Sequence, residues 1–191
     1  MSQAHPLVLA SASPRRVQLM REAGYSFDVV VPAVEEAHDP ALTCEALTTE
    51  NARRKAIAGL AQRPEACVIG ADTLVYIDEH PLAKPADPTE AIAMLRRLSG
   101  RRHQVCTGVA LAHFDWDGEA QVRTFAVITD VTFKALTDDD ITAYHALVDV
   151  FDKAGGYAVQ EHGERIIASV EGSMSNVIGL PMERLREALA E

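Results

Sequence analysis

The chain has 191 residues, 48% of them hydrophobic and 24% charged, with a formal net charge of −10 at pH 7. That balance supports a sizeable core and speaks against disorder, while the acidic excess is the opposite of the basic footprint a nucleic-acid binder needs. No apolar run approaches the roughly 20 residues of a membrane span, and the start shows no basic, hydrophobic and cleavable export pattern, so a cytoplasmic protein is expected. Three separated cysteines, Cys44, Cys67 and Cys106, fit neither a zinc site nor a disulfide framework, and seven scattered histidines offer no helical metal pair.

In chain order, Leu7–Ser11 reads as a short buried strand and Pro14–Ala23 as a helix stopped by Gly24. Tyr25–Val31 reads as a strand ended by Pro32, and a polar loop then leads to a long helix over Thr43–Gln62. That helix carries Glu50–Arg54 and Asn51–Lys55 at i,i+4 spacing. Ala66–Ala71 is an apolar strand closed by Asp72, followed by a strand, a turn near Glu79–His80 and a short return. Thr89–Leu98 is helical, with Gly100 as its stop. Gln104–His113 and Ala120–Phe133 flank a hairpin signal at Asp117–Gly118. A helix over Asp138–Val148, a Gly-rich connection, a strand over Arg165–Val170 and a closing helix over Pro181–Ala190 complete the chain, with Pro181 in that helix's first turn. Strand–helix alternation with at least one hairpin gives an α/β class with a mixed sheet, and no linker divides residues 1–191 into independent domains.

Three groups of residues carry candidate chemistry. In "SASPRR", Ser13 suits an N-cap and Pro14 a first helical position, but Arg15 and Arg16 in the first turn oppose the helix dipole. They fit a helix end that grips phosphate oxygens with amides, serine hydroxyls and guanidinium groups, and this is the favoured reading; the other is a pair of exposed arginines matched by nearby acids. Carboxylates form the second group. Glu35 and Glu36 lie in a loop after a strand, and Asp72 stands where an α/β sheet usually meets its ligand. Acids without histidines suit Mg²⁺ or Mn²⁺, although Glu35–Glu36 also reads as a solvated loop. The third group is Lys55, Lys84 and Lys153 with Gly155–Gly156, each of which alone reads as surface charge or a turn. No P-loop, dinucleotide fingerprint or serine-hydrolase elbow is present.

Taken together, "ASASPRR", "VEE", "ARRKA", "GADTLV", "KP", "LSGRRHQVCTGVAL", "DKAGGYAVQ" and "GSMSNVIGLP" run collinearly from Leu9 to Pro181 and resemble the Maf family of nucleotide pyrophosphatases. The resemblance implies an elongated mixed sheet flanked by helices, with two lobes and a substrate cleft, related to the inosine triphosphate pyrophosphatases. It implies hydrolysis of a nucleoside triphosphate to the monophosphate and pyrophosphate with a divalent cation, Mg²⁺ or Mn²⁺. Carried over, Asp72 is the general base, Glu35 or Glu36 joins Asp72 in holding the metal, and Ser11, Ser13, Arg16, Lys55 and Lys84 contact phosphates, with Lys55 and Glu36 in the catalytic set. Arg15, Thr73 and Gln160 match the branch acting on dTTP and UTP. One departure is visible: many members of that branch have glycine directly after the glutamine, whereas this chain reads "VQEHGE", with Glu161 and His162 intervening. The expected partner is a small nucleotide, with no stable nucleic acid and no membrane; a homodimer is left open. The alternatives are a 7-methyl-GTP pyrophosphatase and a non-catalytic nucleotide-binding regulator of septum formation.

Overall fold

The apolar run at the start forms β1 (Leu7–Ala10), three of whose four residues are buried. In the computed structural model, which describes residues 5–39, 41–78 and 80–191, β1 pairs in parallel with β2 (Phe27–Val30) and with β3 (Cys67–Ile77), placing Ala10 opposite Gly70. Among the described residues the sheet has seven strands. β4 (His80–Leu82) pairs antiparallel with β3, and the remaining order runs β2-β1-β3-β5-β6-β7 through β5 (Arg102–Phe114), β6 (Ala120–Phe133) and β7 (Ile167–Glu171). The helices are α1 (Pro14–Glu22), α2 (Cys44–Gln62), α3 (Pro88–Leu98), α4 (Asp138–His145), α5 (Met174–Ile178) and α6 (Met182–Ala190). None of the described helices is long and apolar enough to cross a membrane.

The chain gathers into two compact units. One comprises β1, α1, β2, α2, the start of β3 through Asp72, Thr107–Val127 and Gly179–Glu191; the other comprises Thr73–Cys106 and Ile128–Ile178. The first has a core of small residues, with Ala10, Ala52, Ala56, Ala66, Ala110 and Ala112 packed among Val8, Leu60 and Val68. The second is built from larger groups, including Leu95, Leu98, Phe133, Tyr144 and Tyr157. Small side chains let helix and sheet backbones come close. A Cβ at Gly70 would stand 2.2 Å from the Ala52 carbonyl oxygen, and one at Gly108 would stand 2.3 Å from the Thr48 carbonyl carbon. Helix α2 therefore lies directly on the backbone of β3 and β5, which only glycine permits at those positions.

Several boundaries depart from expectation. The strand expected to end at Ala71 continues through Asp72 to Ile77, because Thr73, Val75, Tyr76 and Ile77 are strong strand formers and the buried acid has partners that let it stay inside. Helix α4 stops at His145 rather than Val148, where Leu147 and Val148 both turn back to the Tyr144 carbonyl. Pro181 caps α6 instead of entering it, and the helical turn α5 lies in a stretch to which the sequence reading assigned no element. The turn placed near Glu79–His80 involves Glu79, which lies outside the described residues. Ser13 is the N-cap of α1, as expected, yet its side chain makes no capping bond.

In the second unit His103 is buried, with its Nε2 2.8 Å from the Tyr157 hydroxyl and its ring edge-on to Phe133 and Tyr157. Burial pulls its pKa down to about 4. An unfolded histidine titrates near 6.5, so this contribution is complete above that pH and is lost as pH falls toward 4, to a total of about 3 kcal/mol. Urea unfolding at pH 7.5 and pH 4.5 should show that loss in the wild type, and His103→Gln should remove this share of the difference. The close approach of α2 has its own consequence. Gly70→Ala should lower stability by about 1–3 kcal/mol through overpacking against backbone that cannot yield, read as a lower urea midpoint with an unchanged m-value.

Candidate active site

The centre of the first unit is an acid held inside by two donors from one helix. Asp72 is 7% exposed. Its Oδ1 accepts from Lys55 Nζ at 2.7 Å and its Oδ2 from Asn51 Nδ2 at 3.2 Å. Asn51 and Lys55 are four residues apart on α2 and so project from the same face. The Lys55 ammonium also meets Glu36 Oε1 at 2.6 Å, so one cation bridges a strand carboxylate and a loop carboxylate. Burying a carboxylate without such partners would cost several kcal/mol.

The same helix fixes the loop that carries Glu36. Asn51 Oδ1 accepts from the Ala37 backbone N–H at 2.7 Å, and its Nδ2 also donates to the Ala37 carbonyl at 3.3 Å. Arg54 donates to the Glu35 carbonyl at 3.2 Å while its Nε is paired with Glu50. Glu50 is shared by Arg53 and Arg54, whose hydrogen bonds hold its carboxyl down to about 2. The Glu50–Arg54 pair was legible from spacing. Asn51 was read only as a spacing partner of Lys55, whereas its amide in fact joins the acid to the loop. The signal was available: Asn51 is a polar amide on the buried stripe Leu47, Thr48, Ala52, Ala56 and Leu60.

At the end of β1, the buried Ser11 hydroxyl accepts from the Ser13 backbone N–H at 3.1 Å and from Arg16 Nη1 at 3.3 Å. Arg16 Nε donates to the Gly179 carbonyl at 2.7 Å. Burial lowers the pKa of Arg16 and neighbouring Arg15 acts in the same sense, while the charges of Asp72 and Glu36 oppose them. Arg16 thus shares one electrostatic neighbourhood with Asp72 and Glu36. Arg15 is half-buried in the first turn of α1, which contains no acid.

Of the expected site residues, Ser11, Ser13, Arg16, Glu36, Lys55 and Asp72 belong to this connected set. Glu35 is exposed and reaches it through its backbone. Among the described residues no three Glu, Asp, His or Cys side chains converge as a ready cation cage. The second unit holds Thr73, half-buried on β3 directly after Asp72, together with Lys84, exposed beyond β4, and Gln160, exposed between the short 3₁₀ turns Ala154–Gly156 and Gly163–Arg165.

Residues 6–191 match the family described as Maf-like protein. A protein of Akkermansia muciniphila named dTTP/UTP pyrophosphatase is 47% identical over 184 residues, covering 96% of this chain and 95% of that protein. One of Escherichia coli strain K12 with the same name is 41% identical over 185 residues, covering 96% and 91%. The solved structure of the Staphylococcus aureus Ham1 protein is 18% identical, covers 97% of this chain and 98% of its own, and superposes with a TM-score of 0.53, which shows a shared fold.

Removing the Asn51 amide should leave the Ala37 N–H and one Asp72 oxygen short of a partner. Asn51→Ala is therefore expected to cost about 1–3 kcal/mol by urea unfolding. Amide hydrogen exchange at Ala37 should accelerate in the same variant, and unchanged exchange there would show that Asn51 does not hold the loop.

Proposed function

The chain belongs to the Maf family, and from that premise we propose that it is a nucleoside triphosphate pyrophosphatase that hydrolyses dTTP and UTP to the monophosphate and pyrophosphate. The observation that carries the reading is the buried Asp72 carboxylate, held by Lys55 and Asn51 in the electrostatic neighbourhood of Arg16.

In this reading Asp72 accepts a proton from the attacking water. The water oxygen forms a bond to the α-phosphorus, the bond from that phosphorus to the bridging oxygen breaks, and pyrophosphate leaves with that oxygen. Lys55 and Asn51 hold Asp72 as an acceptor, since both donate to it. Arg16, fixed on Ser11 and the Gly179 carbonyl, is pre-oriented for the phosphate chain and needs no reorganisation as charge develops there. The positive end of the α1 dipole lies at the same place and adds to that field. Arg15, Thr73 and Gln160 select the base, and Lys84 contributes a further cation to the phosphates.

The charge count supports a divalent cation. Asp72 and Glu36 are already matched by Lys55 and Arg16, so a triphosphate adds negative charge that these groups do not offset. Glu36 and Asp72 fit the ion, because Mg²⁺ is commonly held by one or two carboxylates with phosphate oxygens and water filling its remaining positions. Of the two loop acids, Glu36 is favoured over Glu35 because its carboxylate shares Lys55 with Asp72. The metal would supply charge neutralisation at the phosphates and a more acidic bound water.

A panel of nucleotides assayed for pyrophosphate release with Mg²⁺ and Mn²⁺ tests the reading. Wild type should favour dTTP and UTP, and Asp72→Asn should lose about 10²–10⁴-fold in kcat, the range of a general base. Arg16→Ala should weaken every triphosphate alike, while Arg15→Ala should change their ranking. Absence of pyrophosphate from every nucleotide, or an Asp72→Asn protein as fast as wild type, would overturn it.

A further inference from the structure

Lys153 is the one candidate lysine of the sequence that the proposed chemistry leaves unused, and it is the most buried of them, at 6% exposure. It sits in the loop between α4 and β7, whose backbone is fixed at several points. The Tyr144 hydroxyl donates to the Ala158 carbonyl and accepts from the Ala158 N–H, and the Gly155 N–H donates to the carbonyl of Ala83, the residue before Lys84. Within this loop the Lys153 ammonium donates to the Asp149 carbonyl, meets Asp152 Oδ1 at 2.7 Å and meets Glu161 Oε1 at 3.4 Å. The first two partners are local, within four residues. Glu161 is different: it lies eight residues on and directly follows Gln160.

The segment past that glutamine is held at its far end by the Arg165 N–H on the His162 carbonyl. Gln160 and Glu161 are exposed, and His162 adopts a left-handed backbone (φ 55°, ψ 25°), a conformation that costs a non-glycine residue about 1 kcal/mol or more unless neighbouring contacts impose it. The Glu161–Lys153 pair is such a contact, and it anchors the exposed Gln160 to a buried charge. It also gives a physical role to the acid in "VQEHGE", which directly follows the glutamine.

We propose that Lys153 is a positioning residue for base selection, acting through its ion pair with Glu161 to hold Gln160 in the orientation that reads the pyrimidine. The proposal rests on the reading of Gln160 as a specificity residue. Lys153 itself touches no substrate in this scheme. Because its effect passes through a contact to the base, its loss should appear as a change in discrimination, which a general loss of folding does not produce.

The experiment compares kcat/KM for dTTP and for ATP in wild type, Lys153→Met, Lys153→Arg, Glu161→Gln and Gln160→Ala, with thermal unfolding of each protein. Glu161→Gln keeps the shape and leaves Lys153 on Asp149 and Asp152, so it tests the pair even where Lys153→Met folds poorly. Both Lys153→Met and Glu161→Gln should reduce the dTTP/ATP ratio by about tenfold, mainly through KM for dTTP, with ATP turnover within about threefold of wild type. Lys153→Arg should restore most of the ratio. Equal losses on both nucleotides, or an unchanged ratio in Glu161→Gln, would overturn the proposal. A Gln160→Ala protein with the wild-type ratio would remove the premise and the proposal together, whereas a shifted Gln160→Ala ratio beside unshifted Lys153 and Glu161 variants would sink the proposal alone.

Discussion

The direct contact of α2 with the sheet backbone at Gly70 and Gly108 is the constraint on which the rest of the first unit depends. With side chains at those two positions the helix would have to move away by the thickness of a methyl group or more. Asn51 and Lys55 reach Asp72 at 3.2 and 2.7 Å, and hydrogen bonds weaken steeply beyond such distances. The alanines at 52 and 56 belong to the same device, because they keep the facing side of the helix thin. A core of small residues buries little apolar area per side chain and is a modest source of stability. What it provides is proximity between backbones, and the buried acid makes use of it.

That proximity explains how a chain with a net charge of −10 keeps a carboxylate inside and cations around it. Asp72 has a donor on each oxygen, and Arg16 is fixed by a hydroxyl and a carbonyl. Each group is held by neutral or oppositely charged partners that are themselves anchored, as Asn51 is by Ala37. Removing one partner from such a set leaves another group buried and unmatched, which is why buried pairs are costly to break. The exposed ion pairs elsewhere, such as Arg96 with Asp138, are of another kind: water screens them and each contributes little.

Much of this was legible in the sequence, for identifiable reasons. The order of elements followed from periodicity and from breakers such as Gly24, Pro32 and Gly100; the caps at Thr43 and Thr137, each accepting a backbone N–H, came from the structure. The position of Asp72 on a buried strand marked it as a candidate, and "SPRR" marked an unusual helix start. The continuation of β3 through Asp72 was not legible, because a charge in an apolar run normally signals an end, and only the tertiary partners on α2 remove that penalty. Asn51 was missed although its place on the apolar stripe of α2 marked it as facing inward; the acid and the loop that its amide joins are known only from the fold. The hydroxyl of Ser13 also misled: its cap position was correct, but the hydrogen bond in that turn runs from its own N–H to Ser11.

Among the described residues a lysine bridges two acids in two places, and the contrast bears on what each is suited to do. Lys55 lies between Glu36 and Asp72, and Lys153 lies between Asp152 and Glu161. In the first the acids are far apart in sequence and come from a loop and a strand, so the ammonium fixes one element against another. Closing that arrangement requires the whole unit to fold first, and its geometry inherits the rigidity of α2 and β3. In the second all three groups fall within one short loop, where closure costs little entropy and the ammonium can fix only the shape of that loop. A lysine that organises tertiary structure around a buried acid suits chemistry, which tolerates little displacement of the reacting groups. A lysine that shapes a single loop suits selection, where a change in one contact alters which substrate is preferred while the reacting groups stay in place.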